Sequence, residues 1–336
     1  MKQRGITVAG SMLVDYVKLV DVYPKKGMLC NVGNISRSVG GCVPNTLCDL
    51  AALDSQLPLK CLGVVAEDEN GRFLKAELEK RNIDIEDVVT VSEESTAFTD
   101  VMTVESTGER TFFYASGSNK IFEEIHIPLD KLYEGIFHIG YALMLNKLED
   151  KDEEYGIRLA RLLDKIQQLG IATSMDAVSE ESGRFEEVIL PTLKYLNYLI
   201  VNEIEMERIS NVKISLENGS VDEEAMRNAC EKTLGYGVRE WVVVHAPGGA
   251  WAMNAKREFY ACPSLKLPEN YIKGSVGAGD AFCAGMLLCL YKGTEMSEAL
   301  KIANASAASN LSATDSVSGM QSLEEVKKLY AKYAVK

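Results

Sequence analysis

The chain has 336 residues, 46% of them apolar and 25% charged, and a formal net charge of −13. That length accommodates one large α/β domain or two smaller ones. The charge argues against nucleic acid or an anionic membrane as the main partner, and it leaves any anionic ligand to be held by local groups.

Residues 5–9 read as a buried strand ending in Gly10-Ser11. The run is too short for a signal peptide, and no stretch approaches the roughly 20 apolar residues of a membrane span. Segments 15–20 and 29–38 alternate in polarity around Pro24 and Gly27 and are expected as two antiparallel strands. Gly40-Gly41 ends the second. Pro44 then suits an early helical position, and Leu47, Leu50, Ala51 and Leu53 supply an apolar face. A strand at 61–66 and a helix at 72–81 follow. Segments 96–104 and 110–114 flank a glycine-containing turn and form a hairpin.

From residue 135 the strand–helix rhythm is regular. Strands are expected at 135–140, 171–176, 198–201 and 241–245, and helices at 153–169, 223–233, 280–290, 297–311 and 323–333. Buried strands alternating with amphipathic helices imply an α/β fold, a mainly parallel central sheet with helices on both faces. The two alternating pairs are expected to form a small β-sheet lid from residues 12–37 and 96–116. Residues 1–11, 38–95 and 117–336 would make the main α/β core. Eight cysteines lie mostly inside apolar segments and only three histidines occur, which reads as a reduced cytoplasmic protein rather than a zinc protein.

The chemistry concentrates in Gly274-Ser-Val-Gly277-Ala278-Gly279-Asp280, which runs into an apolar helix pattern. Glycine permits a sharp turn with amides open to a ligand, and the first amides of a helix have no internal partner. Such a turn is a ready anion site. A carboxylate beside it needs a reason, and a base that takes a proton from a hydroxyl attacking a phosphoryl group supplies one. The plainer reading is a glycine turn with Asp280 as a helix cap. A dinucleotide fingerprint would need glycine where Phe282 stands, and Gly-x-x-x-x-Gly-Lys-Ser/Thr does not occur.

The stretch Val276-Gly277-Ala278-Gly279-Asp280-Ala281-Phe282 resembles the late signature of the ribokinase-like (PfkB) carbohydrate kinases. Gly40-Gly41 with Asn45 resembles the early one. The resemblance implies a ribokinase-like fold and an ATP-dependent phosphotransferase acting on a hydroxymethyl group of a sugar or sugar-like alcohol. It assigns Asp280 as base and the amides of Gly277, Ala278 and Gly279 as anion hole. Asp15, Gly40, Gly41 and Asn45 would hold the acceptor. Asn202 with Glu205 would organise water around Mg²⁺, although an Asn-x-x-Glu is otherwise a helix cap. His245, Gly249 and Asn304 would approach the nucleotide. Leu13 and Cys42 replace the residues of ribokinases proper and weigh against ribose.

Arg110 in the lid hairpin would reach an acidic or phosphorylated sugar, and the plainer reading pairs it with a surface acid. Phe98, Met102 and Phe113 would give the lid an apolar outer face and a homodimer through the lids. Gly274 stands where many relatives carry an acid that ligates a monovalent cation, so K⁺ activation is expected to be weak or absent. The alternatives are a nucleoside kinase of the same fold and a non-catalytic sugar-binding sensor.

Overall fold

The computed structural model describes residues 3–179, 183–216 and 219–335. Its main sheet has eight strands in the order Phe259–Pro263, Gly249–Asn254, Trp241–Ala246, Tyr198–Asn202, Ala172–Ala177, Glu134–Ala142, Arg4–Gly10 and Leu59–Leu62. Every pairing from Trp241–Ala246 to Leu59–Leu62 is parallel, and the first two strands close one edge antiparallel. Side chains alternate across the sheet. Ile136 therefore enters one apolar core, and its neighbour Phe137 enters the other. Helices Cys42–Leu53, Ala278–Lys292 and Met296–Asn310 cover the first face, and Arg158–Gln168, Glu203–Ser210 and Glu223–Gly235 the second. Truncating a fully buried side chain such as Phe137 to Ala costs about 3–5 kcal/mol. The α/β class expected from the sequence is the one observed.

Local differences have local causes. The expected strand 61–66 divides at Gly63, where a Cβ would lie 2.5 Å from Met12 Sδ. Leu59–Leu62 stays in the main sheet, while Val64–Ala66 leaves it and pairs with Val89–Val91. The helix expected from 153 starts at Arg158, because Gly156 at φ 87° closes a short antiparallel pair first. The edge strands Gly249–Asn254 and Phe259–Pro263 fall where no strand was expected.

A separate four-stranded sheet has the order Val32–Gly40, Leu13–Val20, Phe98–Val104, Arg110–Ala115. Asp15 pairs with Thr99, Thr99 with Tyr114, and Thr103 with Arg110. Cross-strand partners share a face, so Asp15, Phe112, Tyr114 and Arg110 all point to one side. Phe98, Met102 and Phe113 point to the other. That second face is less open than the sequence implied. Phe98 packs edge-on against Tyr16 at 6.2 Å, and the Tyr16 hydroxyl donates to Asn70 at 2.6 Å on helix Glu69–Glu79. Phe113 is 51% exposed, and so is Phe112 on the opposite face, at 56%.

Candidate active site

Gly277 caps helix Ala278–Lys292 in the left-handed region at φ 76°, and a Cβ there would lie 2.4 Å from the Ser316 carbonyl. Only glycine fits. The first internal bond of the helix runs from Ala281 N–H to Gly277 O at 2.8 Å. The amides of Gly277, Ala278 and Gly279 precede it, at the positive end of the helix dipole.

Asp280 follows in the first turn and is buried. Its Oδ2 accepts from Asn45 Nδ2 at 2.8 Å and from the Tyr141 hydroxyl at 3.0 Å. Burial pushes its carboxyl up to about 7. Asp176 adds to that shift, and the bonds from Asn45 and Tyr141 oppose it. Asn45 in turn accepts at Oδ1 from Ser316 Oγ at 2.8 Å, so both ends of its amide are held.

Asp176, Glu205 and Asp280 line one cavity of about 230 Å³, with Tyr141 and Gly277 in the same wall. Asp176 comes from the C-terminal end of a parallel strand, and Glu205 and Asp280 from first helical turns, where open α/β sheets bind ligands. Glu205 forms a reciprocal cap with Asn202 and accepts from Ser179 Oγ at 2.9 Å. Burial pushes its carboxyl up to about 8, against those bonds. Three carboxyl groups around one small cavity suit a hydrated divalent cation.

A second cavity of about 600 Å³ lies across the loop and is lined by His245, Ala278, Gly279, Phe282 and Asn304. The His245 ring packs on Phe282 at 4.8 Å, and burial pushes its pKa down to about 4, so it is neutral near pH 7. Asn304 spends its Nδ2 on the Cys262 and Pro263 carbonyls. Gly249 does not line this cavity. It sits inside the edge sheet, where a Cβ would lie 2.7 Å from Cys262 O.

The early signature is placed beside Asp280 through Asn45. Gly41, at φ 82°, passes under Ser11 O, and a Cβ on Gly40 would lie 2.4 Å from Asp15 Oδ2. Asp15 is buried, and burial pushes its carboxyl up to about 7 with Thr99 working against it. Arg110 forms no ion pair with any described residue, so the surface-acid pairing is not what occurs. Sequence reasoning missed Tyr141 and Asp176. The one available signal was position, since both lie at the C-terminal ends of parallel strands, Glu134–Ala142 and Ala172–Ala177. Tyr141 also adopts φ 59°, a strained conformation that concentrates at working sites.

The family model for pfkB family carbohydrate kinases matches residues 3–322. The chain belongs to that family. Among its relatives, an uncharacterized sugar kinase of Archaeoglobus fulgidus is 23% identical over 245 residues, covering 72% of this chain and 87% of the relative. A nucleoside kinase of Methanocaldococcus jannaschii is 24% identical over 298 residues, covering 88% and 86%. The structure of Arabidopsis thaliana ribokinase complexed with ribose and ATP superposes with a TM-score of 0.77 at 20% identity, covering 98% of this chain and 99% of that one. The carbohydrate-kinase fold is thus shared over essentially the whole chain. Among the described residues no helix is long and apolar enough to cross a membrane.

Proposed function

We propose that this carbohydrate kinase transfers the γ-phosphoryl group of ATP to a hydroxymethyl group of a sugar or sugar-like alcohol, with Asp280 as general base. The observation that carries the reading is the Asp280 carboxylate itself. It is buried at a helix N-terminus, bonded by Asn45 and Tyr141, with burial holding it near pH 7, where a base works best.

The acceptor hydroxyl would lie between Asp280 and the amides of Gly277, Ala278 and Gly279. Asp280 would take its proton as the oxygen attacks phosphorus, and the amides would hold the charge on the equatorial oxygens. Asp15, Gly41 and Asn45 would orient the acceptor. The cavity with His245 and Asn304 would receive the nucleoside. A Mg²⁺ ion held by Asp176 and, through water, Glu205 would neutralise phosphate charge. The small sheet would act as a lid that keeps water from competing with the acceptor.

A nucleoside offers the same hydroxymethyl chemistry, and the likeness to a nucleoside kinase keeps that acceptor class in the test. The experiment compares wild type with Asp280→Asn on a panel of sugars, sugar acids and nucleosides, following ADP release. The expected loss in kcat is about 10²–10⁴-fold with nucleotide binding retained. Near-wild-type turnover would remove Asp280 from the role of base. Tight sugar binding with no turnover on any acceptor would point to a sensor.

A further inference from the structure

Arg110 is a half-buried cation that the fold itself does not use. Its Nε is buried with no hydrogen-bond partner, and burial alone acts on its guanidinium. Leaving such a group desolvated is costly unless a ligand answers it. Other arginines in the same chain are paired, among them Arg37 with Glu69 at 2.7 Å and Arg184 with Glu149 at 2.7 Å. Acids outnumber bases 49 to 36, so acidic partners are in ample supply.

Its position says which ligand. Arg110 lines a cavity of about 390 Å³ with Phe112, Tyr141, Ser275, Val276 and Gly277. That cavity shares Tyr141 and Gly277 with the Asp280 cavity, and only Ser275 with the large cavity that holds His245 and Asn304. It therefore adjoins the Asp280 cavity and lies apart from Asn304. Arg110 also shares its sheet face with Asp15, four residues further along the strands and two strands across, or about 13 Å along and about 10 Å across. Gly274 leaves room for the guanidinium, since a Cβ there would lie 2.8 Å from Arg110 Nη2.

Building on the kinase reading above, we propose that the acceptor is anionic, a sugar acid or a sugar phosphate, and that Arg110 binds its charged group. A guanidinium presents Nε and Nη in a fork that fits a carboxylate or phosphate. The exposed ring of Phe112 offers a flat apolar wall to the carbon skeleton. The local cation also answers the −13 net charge, which would otherwise repel such a substrate.

The test uses matched acceptors with the purified full chain: each aldose against its aldonic acid, and each sugar against its terminal phosphate. ADP release gives kcat and KM for each. The anionic member of one series is expected to be preferred at least tenfold in kcat/KM, and which series responds separates carboxylate from phosphate. Arg110→Lys and Arg110→Ala should each erode that preference at least tenfold, chiefly through KM, with Lys retaining more than Ala. Two results would overturn the proposal: neutral acceptors preferred throughout, or Arg110 variants that lower kcat equally for neutral and anionic acceptors. The second would place the guanidinium on the transferred phosphoryl group. Failure of every acceptor, neutral and anionic, would instead defeat the kinase reading on which the proposal stands.

Discussion

The Tyr141 hydroxyl donates to Asp280 Oδ2 at 3.0 Å, from a residue whose own backbone is held at φ 59°. The bond favours the charged carboxylate and so opposes the burial that raises its pKa. The rate should rise with pH through about 7 as Asp280 loses its proton. Tyr141→Phe removes the donor without changing the ring. Its pH–rate profile should shift to higher pH, with the rate on the acid side falling by up to about tenfold, the scale of a hydrogen bond to a charged group. Superimposable profiles would mean that the bond does not tune the base.

A second prediction follows from three buried carboxyls, Asp15 and Asp280 held near 7 and Glu205 near 8. Their folded pKa values lie above the unfolded range near 4, so the folded protein retains protons that the unfolded chain has released. Stability therefore falls as pH rises through the folded values. His245, depressed to about 4, acts in the opposite sense, but only below its unfolded value near 6.5. The window is thus pH 6.5 to 8. Across it the melting temperature of the ligand-free protein should drop, and Mg²⁺ with a non-hydrolysable nucleotide should lessen the drop. A flat or rising curve would contradict the assignment.

The third concerns monovalent cations. The loop is tied by protein bonds: Lys273 N–H to Leu311 O at 2.8 Å and Asn310 Nδ2 to Val276 O at 3.1 Å. Gly274 has no side-chain oxygen to offer, and a Cβ there would lie 2.7 Å from Ala313 O. Replacing K⁺ by a bulky tetraalkylammonium at constant ionic strength should leave turnover within about twofold. A loss of tenfold, about 1.4 kcal/mol of barrier, would show that a cation supports the loop without that acid.

Much of this arrangement can be read from the chain, for identifiable reasons. Glycines at 277 and 41 announce themselves because no other residue tolerates their backbone, and the apolar runs of the central strands declare burial on both faces. Other features come only from the tertiary structure. Asp176 is one acid at a strand end like many others, until the sheet sets it beside Asp280 and Glu205. The edge strand Phe259–Pro263 follows a polar turn with Arg257 at φ 64°, a conformation its sequence does not favour. Asn45 gives no sign that it would bond the carboxylate 235 residues later.

Ser316 Oγ touches both the Val39 carbonyl at 2.9 Å and Asn45 Oδ1 at 2.8 Å. Val39 and Gly40 end a strand of the small sheet, and Asn45 lies in the first turn of the helix that begins at Cys42. There is almost no slack between them. Asn45 Nδ2 in turn donates to Asp280 Oδ2, so a single hydroxyl lies between the end of the small sheet and the partner of the buried carboxylate. Under the kinase reading, cover and base would share this one anchor, so that displacing Ser316 would disturb both.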